Sequence, residues 1–156
     1  MKIDFKIAEV PTNEEGPEFV PYYVAGPLKI IIDNDLFFDE NYILLMELAV
    51  VIQKWLRRVR RKVGVHSFVY ESMEYEGALF SFRLKKPGLY QIELDPELQE
   101  HSTYNSRLLV TKDEITNAFE QYIENLRDGL MVNYNIDLDL YIHVDHDEEL
   151  PYRTIL

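Results

Sequence analysis

No cysteine occurs anywhere in the 156 residues, which removes disulfides, thiolate metal sites and cysteine nucleophiles together and gives no sign of an oxidising compartment. No apolar run approaches the roughly 20 residues that a membrane-spanning helix requires. The first ten residues, MKIDFKIAEV, interleave charge with bulk where a signal peptide would hold an uninterrupted apolar core. The expectation is a cytoplasmic chain with no membrane partner. The six glycines, at 16, 26, 64, 77, 88 and 129, are too dispersed for a phosphate-cradling loop, in which several backbone N–H groups must approach one anion. Neither a Gly-x-Ser-x-Gly elbow nor a His-Glu-x-x-His helix is present. Basic residues are scarce as well: 16 Lys and Arg against 28 Asp and Glu leave a formal charge of −12, which repels phosphate backbones and attracts a basic protein. Nucleic acid is therefore not an expected partner.

What is present is bulk. A length of 156 residues with 47% hydrophobic content suits one domain over 1–156 that buries roughly two-thirds of its unfolded-chain surface. Charge is distributed unevenly. Residues 1–39 carry 3 basic and 8 acidic side chains, 40–64 carry 6 and 2, 65–110 carry 4 and 7, and 111–156 carry 3 and 11. Positive charge thus concentrates in one place.

That place is the end of Glu40–Val63, read as one long amphipathic helix. Leu45, Leu48, Ile52, Trp55, Leu56, Val59 and Val63 share an arc at 100° per residue, opposite Lys54, Arg57, Arg58 and Arg61. Asp39 supplies the N-cap and Gly64 the left-handed residue past the end, while the first half is apolar nearly all round. Upstream, residues 2–10 alternate Ile3, Phe5 and Ile7 with polar side chains, as a strand does. Pro11 to Pro21 reads as an acidic loop, Tyr22–Ala25 as a short strand, and Gly26-Pro27 as a turn. Leu28, Ile30 and Ile32 then alternate towards Asp33-Asn34-Asp35, the turn of a hairpin.

Downstream, Val65–Glu71, Leu79–Leu84 and Leu89–Leu94 form a meander turning at Ser72–Gly77 and Lys86-Pro87-Gly88. Asp95–Asn105 is a polar connection and Arg107–Val110 a further strand. Thr111 and Glu114 have capping-box spacing. The helix they open buries Ile115, Ala118, Phe119, Tyr122, Ile123, Leu126 and Leu130, with Asp113, Glu120, Glu124 and Asp128 opposite. Ile136 to Val144 alternates and is read as a last strand, although a short helical turn would also bury some of it; 145–156 is a loose acidic tail. The fold class that follows is α+β: an antiparallel sheet with two main amphipathic helices packed on one face.

Chemistry is harder to place. His143 and His146, with Asp145 and Glu149, are the most metal-like group, but a strand sends positions 143 and 146 to opposite sides, so a solvated tail is the simpler reading and no metal site is assigned. No cofactor is expected. Glu71, Glu74 and Glu76 beside Tyr75 could act as an acid–base or ion-binding group; an acidic loop that stays in water accounts for them more simply. Arg57, Arg58 and Arg61 could grip an anionic group or an acidic partner, or merely offset the helix dipole and pair with the protein's own carboxylates. Exposed tyrosines, with Tyr22, Tyr23, Tyr75 and Tyr104 as candidates, would serve as interface anchors.

Taken together, Glu47-Leu48 through Trp55-Leu56 on a helix, Phe68-x-Tyr70-x-Ser72-Met73-Glu74-x-Glu76, and Phe80-x-Phe82 resemble a pattern in small acidic bacterial proteins of immunity or uncharacterised type, associated with polymorphic toxins. The resemblance implies a non-enzymatic inhibitor whose acidic surface docks on a basic, toxin-like protein, and it carries no catalytic residues. The expected contacts are Glu71, Glu74, Tyr75 and Glu76, with Glu120, Glu124 and Asp128 as a second surface. A small enzyme or ligand-binding domain, with a pocket between sheet and helices, is the competing expectation. A homodimer setting the basic helix end against its own acidic face is a third.

Overall fold

The structure is a computed structural model that describes residues 1–12, 20–61, 66–98 and 109–142. Its elements run β1 (Lys2–Phe5), α1 (Val20–Tyr23), β2 (Ala25–Ile32), β3 (Asp35–Leu44), α2 (Leu45–Arg60), β4 (Phe68–Glu71), β5 (Ala78–Lys86), β6 (Leu89–Leu94), β7 (Leu109–Thr111), α3 (Lys112–Tyr134) and α4 (Asp139–Ile142). The class is α+β. The strands form two antiparallel sheets where the sequence suggested one: β1-β2-β3 and β4-β5-β6-β7.

Asp33 and Asn34, both with positive φ (50° and 69°), make the two-residue turn between β2 and β3, and Leu28, Ile30 and Ile32 face the core as their alternation requires. The inner faces of the two sheets meet through aromatic rings. Phe38 of β3 lies 5.0 Å from Phe80 of β5 between centroids, and Phe37 lies 6.3 Å from both Phe80 and Phe82. Trp55 of α2 and Phe119 of α3 close this cluster at 5.6 Å, with Phe119 4.7 Å from Phe68 of β4. Rings at these separations and angles gain roughly 0.5–1.5 kcal/mol per pair beyond burial alone. The Trp55 indole N–H, which could not be buried unpaired, donates to the His66 carbonyl at 3.1 Å.

Four expectations are corrected. The long helix does not begin at Glu40: residues 40–44 belong to β3, where Ile43 and Leu44 pair with Gly26 and Ala25, and Leu45 N donates to the Val24 carbonyl at 2.8 Å. Sheet partners supply the backbone bonds through Leu44, so α2 starts at Leu45 without a side-chain cap, and Asp39 instead pairs with Lys29 at 2.9 Å. Val20–Tyr23 is a helical turn and only Ala25 of the expected Tyr22–Ala25 strand lies in a strand, as the first residue of β2.

Gly26-Pro27 is no turn but part of the central strand β2, tolerated at a register irregularity between Gly26 and Leu28. Pro27 lacks a donor but its carbonyl still accepts from Lys6 N at 3.2 Å. Finally, residues 139–142 form α4, because Leu138 and Ile142 are buried while Leu140 is 68% exposed, a spacing of four and not of two. Bidentate contacts from Arg127 to Asp139 at 3.0–3.2 Å fasten α4 to α3. Gly64, His143, His146 and the 145–156 tail lie outside the described residues.

Candidate functional site

Glu47 is the only charged side chain between Glu40 and Lys54, set in the otherwise apolar first turns of α2. It is half-buried and faces the end of β4. Tyr70 Oη donates to Glu47 Oε2 at 3.2 Å, Ser72 Oγ to the same oxygen at 3.0 Å, and Met73 N to Oε1 at 3.2 Å. Ser72 Oγ in turn accepts from Glu74 N at 3.4 Å. A helix carboxylate therefore pins the Ser72–Gly77 loop at its root, and Tyr75 Oη pins its middle by donating to the Tyr42 carbonyl of β3 at 3.3 Å.

The electrostatics of this face are one-sided. Burial pushes the Glu47 carboxyl above the usual range, against the three hydrogen bonds that hold it down and with the help of nearby Glu74. Tyr75 is raised by burial and by the adjoining Glu40, and Tyr42 by burial and by Glu9 and Glu74. Tyr22 is raised by burial and by Glu47. Among the described residues no cation appears among the influences on these groups. The reason is written in the composition: among the described residues, 7–12, 20–28, 40–53 and 67–82, which supply this face, contain no lysine or arginine. Tyr42 and Met73 stand exposed among the carboxylates.

The residues singled out from sequence are divided by the fold. Glu74 and Tyr75 come together with Glu9, Glu40, Tyr42 and Glu47, while Glu76 is exposed at the loop tip. Glu71 projects from the outer side of β4, opposite buried Tyr70. Glu120, Glu124 and Asp128 are exposed on α3, but Glu120 is already paired with Arg60 at 2.6 Å. Arg57 donates to the Ile142 carbonyl at 3.0 Å and so serves to hold α4; Arg58 and Arg61 are exposed at the helix end. Glu9, Glu40, Tyr42 and Glu47 were missed as site residues. For Glu47 the signal was available, since a lone carboxylate within an apolar helical run must have donors or a function.

Among the described residues, the aromatic cluster occupies the region where the sheets meet α2 and α3. Among the described residues no three His, Cys, Asp or Glu side chains are grouped to hold a metal ion, and no helix is long and apolar enough to cross a membrane. No curated protein and no solved structure matches the chain. A family model does match, over residues 3–132, which takes in β1 through nearly all of α3 and the whole Glu47 face. The chain belongs to the family described as Domain of unknown function (DUF7878).

Proposed function

We propose that this protein is a non-enzymatic protein-binding module that occludes a basic partner in the cytoplasm, in the manner of an immunity or anti-toxin inhibitor. The observation that carries the reading is a face on which, among the described residues, no cation stands beside Glu74, Tyr75 and Tyr42, its loop fixed by Glu47 at the root and by the Tyr75–Tyr42 bond in the middle. Carboxylates without cations of their own attract a positively charged surface and speed its encounter, and exposed aromatic side chains supply contact area at low entropic cost. Anchoring matters because a loop already ordered loses less freedom on binding. The inhibitory form of the proposal rests on the sequence resemblance alone. The outer face of α3 is the weaker candidate, since Arg60 neutralises Glu120.

Capture from lysate with the full chain tests this, using wild type, the loop variant E74K/E76K and the α3 variant E124K/D128K. A basic protein retained by wild type and by the α3 variant, but lost from the loop variant and eluted by salt, is the expected result. Retention of the same proteins by all three, or capture only of acidic ones, refutes the assignment.

A further inference from the structure

The Ser72–Gly77 loop closes on Glu47 and has a pivot at each end. It leaves β4 at a register irregularity between Tyr70 and Glu71 and rejoins β5 through Gly77, whose φ of 85° lies in the left-handed region. Met73, Glu74 and Glu76 are exposed, whereas Ser72 is buried and Tyr75 half-buried. Hydrogen bonds tie the loop to the body of the protein. Ser72 Oγ and Met73 N donate to Glu47 of α2 at 3.0 and 3.2 Å, and Tyr75 Oη donates to the Tyr42 carbonyl of β3 at 3.3 Å. When the loop lifts, water supplies donors and acceptors in their place, so these bonds shift the balance little. The charge on Glu47 shifts it more, because a carboxylate covered by the loop has lost solvent that an uncovered one regains.

Among the described groups facing the carboxylate, none is a cation that would offset that loss. They are Tyr22 of α1, Tyr70 of β4, and Ser72 and Glu74 of the loop. On α2 itself the next charge is Lys54, two turns or about 10 Å along the axis. From α3, Tyr122 approaches Tyr70 and donates to the Leu45 carbonyl at 2.7 Å, while Glu40 and Tyr42 of β3 face Tyr75 and Glu74. Closing the loop therefore brings a second negative charge, Glu74, beside a half-buried first one. A proton on Glu47 removes both penalties without undoing the contacts. Oε1 remains an acceptor for the Met73 amide, and the Tyr70 and Ser72 hydroxyls at Oε2 can rotate to accept. We infer that the Ser72–Gly77 loop is a proton-operated flap, closed over a neutral Glu47 and released from a charged one. The raised Glu47 carboxyl agrees in sign: closure is favoured in acid and weakens as pH rises through the raised value. The device concerns the order of the loop and stands whether or not this face binds a protein.

Backbone amide relaxation dispersion over Met73–Gly77 measures the open population, on the isotope-labelled full chain, from below the ordinary glutamate range to neutrality. In wild type that population should rise about threefold or more as Glu47 loses its proton, since each unit by which closure raises the pKa is a tenfold change in the ratio. In E47Q, neutral throughout, it should stay at the acid level at every pH. The reciprocal readout is the titration midpoint of the Glu47 carboxyl, followed by NMR. Tyr75→Phe removes the bond to the Tyr42 carbonyl but keeps the ring, so it should enlarge the open population and bring the Glu47 midpoint down towards the ordinary glutamate value. An open population that is flat or falls with pH in wild type, the same rise in E47Q, or a Glu47 midpoint that Y75F leaves unmoved would overturn the proposal. Burial by α1 and β4, with no part for the loop, would then account for the raised carboxyl.

Discussion

Glu47 shows how one side chain can favour the site at the expense of the fold. Its carboxyl is raised by burial, so the folded chain holds that proton more tightly than the unfolded chain does. Stability from this group is therefore greatest in acid and declines as pH rises through the ordinary carboxylate range to the raised folded value. Glu47→Gln mimics the protonated form at every pH. We expect urea midpoints of wild type and E47Q to converge in acid and to separate with the variant the more stable as pH rises through that window; a wild-type advantage that grows with pH would contradict the assignment. Gly26 is the opposite case, a residue required by packing alone. A Cβ there would stand 1.9 Å from the Lys6 carbonyl oxygen and 3.0 Å from Ala8 N, both backbone atoms that cannot turn aside. Gly26→Ala should cost ~3 kcal/mol or more in equilibrium unfolding, beyond the usual range for overpacking.

Among the elements, those bounded by local chemistry were readable and those bounded by distant partners were not. All seven residues of the α3 stripe are buried, and the helix opens with the reciprocal box foreseen at Thr111 and Glu114: Glu114 N donates to Thr111 Oγ1 at 3.3 Å, and Thr111 N to Glu114 Oε2 at 2.8 Å. Both signals lie within four residues of the boundary they mark. The start of α2 has no such marker. Ile43 and Leu44 suit helix or strand equally by pattern, and the decision comes from Ala25 and Gly26, which lie far away in sequence. The same limit hid the Glu9–Tyr42 and Glu40–Tyr75 contacts, which need β3 to run past the Ser72–Gly77 loop. Thr111→Ala should destabilise by ~1 kcal/mol at neutral pH, about 2–4 °C in Tm for a chain of this length. Thr111 holds the Glu114 carboxyl below its usual value, so this contribution is present above the ordinary carboxylate range and is lost as pH falls through the depressed folded value. The Tm deficit of T111A should shrink accordingly in acid.

Across the described residues, charge is sorted into a face that lacks cations and a helix end that has them, and the two should answer salt with opposite signs. On the first face Glu9, Glu40, Glu47 and Glu74 approach one another with no lysine or arginine between them among the described residues, so folding brings like charges together. On the second, Arg60 and Glu120 are 2.6 Å apart but both substantially exposed, and such pairs contribute roughly 0.2–1 kcal/mol. Charges of either kind are screened once the Debye length falls from about 30 Å at 0.01 M salt to about 3 Å at 1 M. Glu74→Gln should therefore raise the urea midpoint in dilute buffer and Glu120→Gln should lower it, with both differences fading towards zero at 1 M salt. For the protein as a whole, at net −12, repulsion outweighs the few exposed pairs, and wild type itself should gain stability as salt is added. The bound complex should respond the other way, because the same carboxylates then face a basic surface and screening removes an attraction. Measured side by side, a wild-type midpoint that rises with salt while partner affinity falls is the expected outcome. A common sign for the two, or an E74Q variant less stable than wild type in dilute buffer, would mean that the Glu47 face is not under electrostatic tension when free.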